Sequence, residues 1–264
     1  MARPYAALLA GHVRSMTSYR ASFVAELVSN VGAAALDVLS VLVLFRVTRT
    51  VGGFELPAAL LMVALSSASF ATADFVVGNI DQLKTYIRAG TLDSVLVRPL
   101  SAFGQLVLMD LPLRKASRVV IAFVVLAIAV RVADVDWTPA RVLLMAVAPV
   151  AAAVFFGSIF VTGAGLAFWW VESGEAGNAF TYGGRDFTAY PVSIYSGWFR
   201  AVFAYGLGFG FVVYHPALFL LGRADPLGLP AWAAWSSPLV ALVAAGVAAG
   251  VWRLGIRRYQ STGS

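Results

Sequence analysis

The sequence has no cysteine and only two histidines in 264 residues. The absence of cysteine excludes a disulfide framework and thiolate chemistry. The histidines, His12 and His215, are too far apart to form the closely spaced pairs that bind zinc in many enzymes. The sequence also contains no Gly-x-x-x-x-Gly-Lys-Ser/Thr run, so it offers no P-loop for nucleotide phosphates. These absences argue against metal, thiolate or ATPase chemistry within this sequence.

Charge is scarce as well. Charged residues make up 12% of the sequence and hydrophobic residues 60%, whereas a soluble domain carries about 25% charged residues. A large soluble core does not explain this composition, because such a core is surrounded by polar surface. The composition therefore indicates a protein embedded in a membrane. The net charge of +6 is interpreted as an excess of basic residues in cytoplasmic loops, and no nucleic-acid partner is expected.

Apolar segments predict the architecture. A helix needs about 20 mostly apolar residues to cross a membrane. The sequence predicts an all-α membrane protein with six transmembrane helices in one domain, residues 23–255. Residues 1–22 are predicted to form an interfacial amphipathic helix, and 256–264 a cytoplasmic tail. The spans are predicted at about 23–45, 56–77, 119–130 with extensions past the flanking arginines, 142–171, 201–221 and 235–252.

The distribution of basic residues predicts the orientation. With both termini in the cytoplasm, the predicted inside regions hold 14 Lys and Arg and the outside regions hold five, which satisfies the positive-inside rule. Seventeen of the 19 basic residues are arginine, and this bias, with abundant Ala and Val, is typical of GC-rich bacterial genomes. The sequence thus predicts a multi-pass protein of the bacterial cytoplasmic membrane.

A polar region, about 79–115, lies between predicted spans 2 and 3 and contains DQLKTYIRAGTLDSVLVRPLS. Gly90 is placed to end a first short helix in a left-handed conformation. Thr91 is placed to cap a second helix, with Asp93 in its first turn, and Pro99 is placed to stop it. The pattern predicts two short helices joined by a sharp bend. From periodicity alone, an ordinary interfacial loop is an equal alternative.

Three stretches occur in order from about residue 80 to the C-terminus: YIRAGTLDSVLVRPLS, FWWVESGEAGNAFTYGGRDFTAYPVSIYSGWFR and FVVYHPALFLLGRADPLGLP. Together they resemble bacterial ABC-2-type transporter permeases, particularly the short six-span permeases encoded beside a separate ATPase. One departure is GLGFGF, where the family often carries a proline break. The family pattern Ile-x-x-Gly-x-Leu-Asp-x-x-Leu-x-x-Pro-Leu has its counterparts in Ile87, Gly90, Leu92, Asp93, Leu96, Pro99 and Leu100.

The resemblance implies a permease subunit of an ATP-driven ABC exporter, without an ATPase site of its own. It would couple to a separate ATP-binding subunit and pair with a second permease, identical or sister, to complete the pathway. ATP and Mg²⁺ would bind to the partner ATPase, so no cofactor or metal is expected on this chain, and membrane lipids would surround it. The cytoplasmic coupling helix would use Lys84, Arg88, Asp93 and Arg98 as docking charges and Leu92 and Leu96 as anchors, with Gly90 and Pro99 shaping it.

Two features are candidates for the transport pathway or its gate. Asp37 lies near the middle of the first span, where a carboxylate is a functional candidate; contact with substrate or protons and structural pairing with a neighbouring span remain equal alternatives. Glycines at 206, 208 and 210 predict a broken helix before the last span, which is tolerated at depth only under a cover of protein or a cavity. We therefore predict a re-entrant outer gate there. The candidate residues are Asp37, Tyr205, Phe209, Tyr214 and Pro216.

Two other function classes compete with the exporter. An ion-driven transporter using Asp37 would be expected to show inverted repeats, and no internal repeat is visible in the sequence. A membrane-embedded lipid-modifying enzyme would need a clustered acid–base set. The scattered carboxylates and the remote His215 do not supply one.

Overall fold

The computed structural model describes residues 20–109, 115–171 and 174–260. Within these ranges the chain is almost entirely helical, and the only β contact is an isolated bridge between Val51 and Phe54. The predicted all-α class is confirmed. Most of the predicted N-terminal amphipathic helix, residues 1–19, lies outside the described residues, and Arg20 begins the first long helix.

In the described part of the chain, six longer helices form the bundle, and shorter helical segments connect them. The first half contains α1 (Arg20–Val47), α2 (Leu56–Val77), a 3₁₀ turn (Gly78–Gln82), α3 (Leu83–Arg88), α4 (Thr91–Leu96), α5 (Ala102–Leu108) and α6 (Lys115–Val132). The second half contains α7 (Pro139–Gly165), a 3₁₀ turn (Leu166–Phe168), α8 (Gly174–Ala189), a 3₁₀ turn (Val192–Ile194), α9 (Gly197–Arg200), a π-helical turn (Ala201–Gly206), α10 (Phe209–Val212), α11 (Tyr214–Leu220), a 3₁₀ turn (Ala231–Ser236) and α12 (Ser237–Arg258).

Four helical stretches of the described chain are long and apolar enough to cross a membrane: Val24–Val47, Leu56–Arg88, Pro139–Phe168 and Ala231–Arg258. A fifth is obtained if the segments Gly197–Gly206 and Phe209–Leu220, which are bent by 55° at their junction, are taken as one span. Length and composition therefore do not confirm the predicted count of six. Helix α6 carries three basic residues within 18, and α8 has only 16 residues.

Helices α2 and α7 form the centre of the bundle. Two-thirds of the α2 span is buried within the protein, against 11% of the α1 span. Phenylalanine rings fill the interior, where Phe70 of α2 packs against Phe156 and Phe160 of α7 with ring centroids 5.4–5.5 Å apart. In lipid, such close packing, rather than removal from water, holds helices together. The consequence is a closely packed centre with α1 at its edge.

The bundle has two ends with different chemistry. At one end α2, α7 and α12 end and α6 begins. Lys115 and Arg253 lie there, and we call it the basic end. We call the turn end the one that carries the turn Gly52–Gly53 between α1 and α2.

Helix α8 runs between these two ends. At the basic end, the backbone of Gly177 packs closely against the backbone of Gly163 of α7. A Cβ atom added to Gly163 would lie only 3.2 Å from the Gly177 Cα. Just beyond its other end, the Ser193 hydroxyl donates to the Gly52 carbonyl over 2.8 Å. Arg185 therefore lies inside the bundle. The sequence around Arg185, which is polar and rich in glycine, forms a packed helix rather than a loop.

The glycine-rich segment after α8 forms a helical hairpin. Its two ends meet the same turn, because Ser193 bonds to Gly52 and the Arg223 guanidinium donates to the Gly53 carbonyl over 3.0 Å. Between them the chain bends by 55° after the π-helical turn, at Gly208, which has a left-handed φ of 89°. The predicted helix break is confirmed. The predicted fifth span at about 201–221 is not a straight helix, because it is bent by 55° and the residues on both sides of it contact the turn Gly52–Gly53.

Candidate functional site

The short helices α3 and α4 form a hairpin at the basic end. Gly90 joins them with a left-handed φ of 68°, as the sequence predicts. Asp93 lies in the first turn of α4. Thr91 does not cap α4, because it is already helical, and its hydroxyl donates to the Tyr86 carbonyl over 3.2 Å. This bond crosses the bend and holds α4 against the end of α3.

One face of the α3–α4 hairpin is buried against the bundle. Leu83, Ile87, Leu92 and Val95 are each 3% exposed or less. Leu92 is therefore placed as an anchor requires, but Leu96 is 37% exposed and does not anchor the hairpin. Leu96 is the last residue of α4 and precedes the exposed segment Val97–Pro99, so its side chain lies at the edge of the buried face.

Two buried amides that sequence reasoning missed hold this region in place. The Gln105 side chain donates to the carbonyls of Val95 and Leu100 over 3.1 and 3.2 Å, so it satisfies the end of α4. The Asn79 side chain donates to the Leu106 carbonyl over 2.6 Å. Both amides lie in a polar segment between apolar ones, and that position was the only available signal. They join α4, α5 and the 3₁₀ turn after α2 into one unit.

The segment that follows α4, Val97–Pro99, is both apolar and basic, and we call it the tip of the hairpin. Val97 is 83% exposed, and Arg98 and Pro99 next to it are exposed too. Arg88 is exposed at the bend, whereas Lys84 and Asp93 are half-buried. The predicted docking residues are therefore brought to one end of the molecule, and Val97 joins them.

The hairpin also contacts the C-terminal segment. The Tyr259 ring packs against Phe168 with centroids 6.3 Å apart, and Ile87 lines a cavity with Phe168 and Tyr259. Burial and the nearby carboxylate of Asp93 raise the pKa of Tyr259. Half-buried Asp93 thus faces another part of the same chain, which its predicted role as a docking charge did not include.

Asp37 is paired with an arginine inside the bundle. The Arg185 guanidinium of α8 donates to the Asp37 carboxylate of α1 and to the Ser67 hydroxyl of α2, the latter over 3.3 Å. The Asp37 and Arg185 side chains are 37% and 28% exposed. They line a cavity of about 280 Å³, together with Asn30, Arg118, Tyr182 and apolar residues of α1, α2 and α6. The structure thus favours pairing for Asp37 and adds a polar cavity beside it.

A second ion-pair cluster lies nearer the basic end. The Asp74 side chain of α2 is 3% exposed and accepts from Lys115 over 2.7 Å and from Arg118 over 3.1 Å, both on α6. Arg118 also donates to the Asn30 side chain of α1 over 3.3 Å. A buried charge must be paired to be tolerated. This cluster joins α1, α2 and α6 by polar contacts that the sequence did not assign to partners.

The other gate candidates lie in the glycine-rich hairpin, apart from Asp37. Phe209, Tyr214 and Pro216 are buried and Tyr205 is half-buried. Phe209 packs against Phe155 of α7 with centroids 5.0 Å apart, and the Tyr214 hydroxyl donates to Asp225 over 3.0 Å. None of these four residues lines the polar cavity that contains Asp37. The predicted gate set therefore divides into two separate places.

Comparison with known proteins identifies the family. The family model described as ABC-2 family transporter protein matches residues 31–263 of the chain. No curated protein and no solved structure gives a match. The matched range contains the α3–α4 hairpin, both ion-pair clusters and the glycine-rich hairpin. The chain therefore belongs to the ABC-2 family of transporter membrane proteins.

Proposed function

We propose that the protein is the permease subunit of an ATP-driven ABC exporter in a bacterial cytoplasmic membrane. It forms half of the translocation pathway and couples through the α3–α4 hairpin to a separate ATP-binding subunit. Membership of the ABC-2 family supports the assignment to an ABC transporter. One observation carries the coupling role. One face of the α3–α4 hairpin is buried against the bundle, while its tip, Val97–Pro99, is exposed at the basic end.

The proposed topology has six crossings, made by α1, α2, α6, α7, α8 and α12. Helix α8 replaces the 201–221 segment as the fifth crossing, because α8 extends from the basic end to the turn end. The 201–221 segment instead begins and ends near the turn end. The basic end faces the cytoplasm, since Arg88, Arg98, Arg253, Arg257 and Arg258 all lie there and cytoplasmic regions are rich in arginine. Both termini are then on the cytoplasmic side.

The coupling mechanism follows from continuity of the chain. The helical path from Leu56 to Arg88 has 33 residues and includes α2, the 3₁₀ turn and α3. A force on the hairpin tip, such as closure of an ATP-bound dimer, is therefore applied to the most buried helix. The Asp74 cluster passes that displacement to α6 and α1. A bistable membrane domain moved by a rigid lever is a recognised way to switch access.

The partner subunits supply what this chain lacks. ATP and Mg²⁺ bind to the ATPase subunit, because this sequence has no phosphate-binding loop. A second permease, identical or sister, completes the pathway. The polar cavity between α1, α2, α6 and α8 is the proposed part of that pathway in this chain, and Arg185 and Asp37 are the residues that line it at depth.

An ion-driven transporter using Asp37 is a weaker proposal. The carboxylate is bonded to Arg185, so a coupling cation would have to displace a guanidinium that is already in place. An ABC exporter needs no such exchange, because ATP hydrolysis in the partner drives the change of access.

The test is co-purification with a candidate ABC ATP-binding subunit. Val97→Asp combined with Arg98→Glu changes only exposed residues of the tip, so the fold is expected to persist while the ATPase is lost. Arg49→Glu, an exposed charge near the turn end, is the matched control and retains it. Equal recovery of the ATPase with the tip variant would exclude the hairpin as the docking element. Failure of the wild type to recover any ATPase would overturn the exporter assignment.

A further inference from the structure

A long apolar groove runs along the outside of the bundle between α2, α7 and α12. Its volume is about 600 Å³, and its walls are almost entirely aliphatic, with Val76, Val154, Ala245 and Ala249 among them. The ring of Trp252 forms its boundary near the basic end, where it packs edge-on against Phe103 of α5 with centroids 5.3 Å apart. This groove is separate from the polar cavity that contains Asp37.

The length of the groove corresponds to one leaflet of a bilayer. On α7 it is lined from Val150 to Val161, which at a rise of 1.5 Å per residue is a distance of about 16 Å. The hydrocarbon core of a membrane is about 30 Å thick, so one leaflet contributes about half of that. The groove therefore extends from the basic end to about the middle of the membrane and no further.

The polarity of the groove changes at one end only. Ser101 and Arg253 line it at the basic end, and the rest is apolar except for Thr72 and Ser158. Arg253 is exposed, and within the described residues its guanidinium takes part in no hydrogen bond or ion pair. Arg257 and Arg258 are exposed one turn further on. Basic residues at the cytoplasmic boundary of a membrane attract anionic lipid headgroups.

We propose that this groove binds one acyl chain of an anionic phospholipid, with the phosphate at Arg253 and the chain against Val154 and Ala249. The length of the groove, its apolar wall and the arginine at one end match the shape and polarity of such a lipid. The bound lipid lies between α5, which holds the α3–α4 hairpin, and the ends of α2 and α12. It therefore supports the coupling region from the membrane side.

The first experiment fills the groove. The full-length protein is purified with an equimolar mixture of phosphatidylglycerol and phosphatidylcholine that have identical acyl chains, and the retained lipids are counted by native mass spectrometry. Wild type is expected to retain one phospholipid, with phosphatidylglycerol preferred by about fivefold. The Ala249→Phe variant is expected to lose most of the bound phospholipid. Val247→Phe, on the same helix but outside the groove, is the control and retains it.

A second variant separates the headgroup from the chain. Arg253→Gln is expected to retain a phospholipid but to lose the preference for phosphatidylglycerol, while Arg131→Gln, an exposed arginine on α6, keeps it. The proposal is overturned if wild type retains no lipid, if Ala249→Phe retains as much as wild type, or if Arg253→Gln leaves the preference unchanged. Loss of dimer rather than of lipid in Ala249→Phe would assign the groove to a second copy of the chain.

Thermal unfolding of each variant shows that it is folded, and Ala245→Phe provides a second way to fill the groove if Ala249→Phe does not fold. The measurement uses no ATPase, so its result does not depend on the proposed exporter function. Retention of an unknown amphiphile in place of both phospholipids would contradict the proposal and assign the groove to a transported molecule.

Discussion

At the scale of single residues, the buried carboxylate of Asp74 is the most strongly paired charge in the described part of the chain. It lies between Lys115 and Arg118 and is 3% exposed, whereas its partners are 29% and 46% exposed. Asp74→Ala is expected to destabilise the protein by about 2–3 kcal/mol, somewhat less than for a fully buried pair, because water still reaches the two cations. Thermal unfolding in detergent measures the loss.

A matched control for Asp74 is Asp136, whose 97% exposed side chain is 3.9 Å from Arg141. Exposed pairs contribute about 0–1 kcal/mol, so Asp136→Ala is expected to shift the melting temperature little. Equal effects of the two substitutions would mean that the Asp74 cluster does not hold α6 to α2.

The pair of Asp37 and Arg185 makes a different prediction, because it joins the edge helix α1 to α8. Asp37→Ala and Arg185→Ala are each expected to increase hydrogen exchange in α1, which has few other contacts. If the pair acts as one unit, the effects of the two substitutions do not add. A double-mutant cycle is expected to give a coupling of about 1 kcal/mol or more, and simple additivity would show that the two side chains act independently.

At the scale of elements, the bend between α3 and α4 depends on Gly90. Its φ of 68° is unfavourable for a β-branched residue but accessible to asparagine. Gly90→Val is expected to cost at least about 1–2 kcal/mol and to weaken ATPase recovery, because the hairpin tip is displaced. Gly90→Asn is expected to stay close to wild type in both measurements. If both variants couple normally, the left-handed bend has no role in docking.

This bend was predictable because its signals are local: Gly90 and Pro99 mark the ends of short helices in the sequence itself. The helix α8 was not predictable, because Gly183, Gly184 and Arg185 are typical of a loop. Arg185 is accommodated in the bundle by Asp37, which is 148 residues away in sequence. The glycines at 206, 208 and 210 indicated a break in the helix but not the direction that the chain takes after it. That direction is set by contacts with Gly52 and Gly53 across 141 and 170 residues.

At the scale of the whole molecule, the absence of cysteine makes the path of the chain directly measurable. Single cysteines at exposed positions can be labelled with a membrane-impermeant maleimide from one side at a time. Thr50→Cys marks the turn end and Ser94→Cys marks the basic end. Ser196→Cys and Ala224→Cys mark the two ends of the glycine-rich hairpin. All four positions are exposed.

The contacts of the hairpin with a single turn predict that Ser196→Cys and Ala224→Cys are labelled from the same side as Thr50→Cys. Ser94→Cys is expected to be labelled only from the opposite side. A straight crossing at 201–221 would instead place positions 196 and 224 on opposite sides of the membrane. In that case α8 would not be the fifth crossing, and Arg185 would no longer lie in a membrane-embedded cavity. The proposed pathway through α1, α2, α6 and α8 therefore depends on this result.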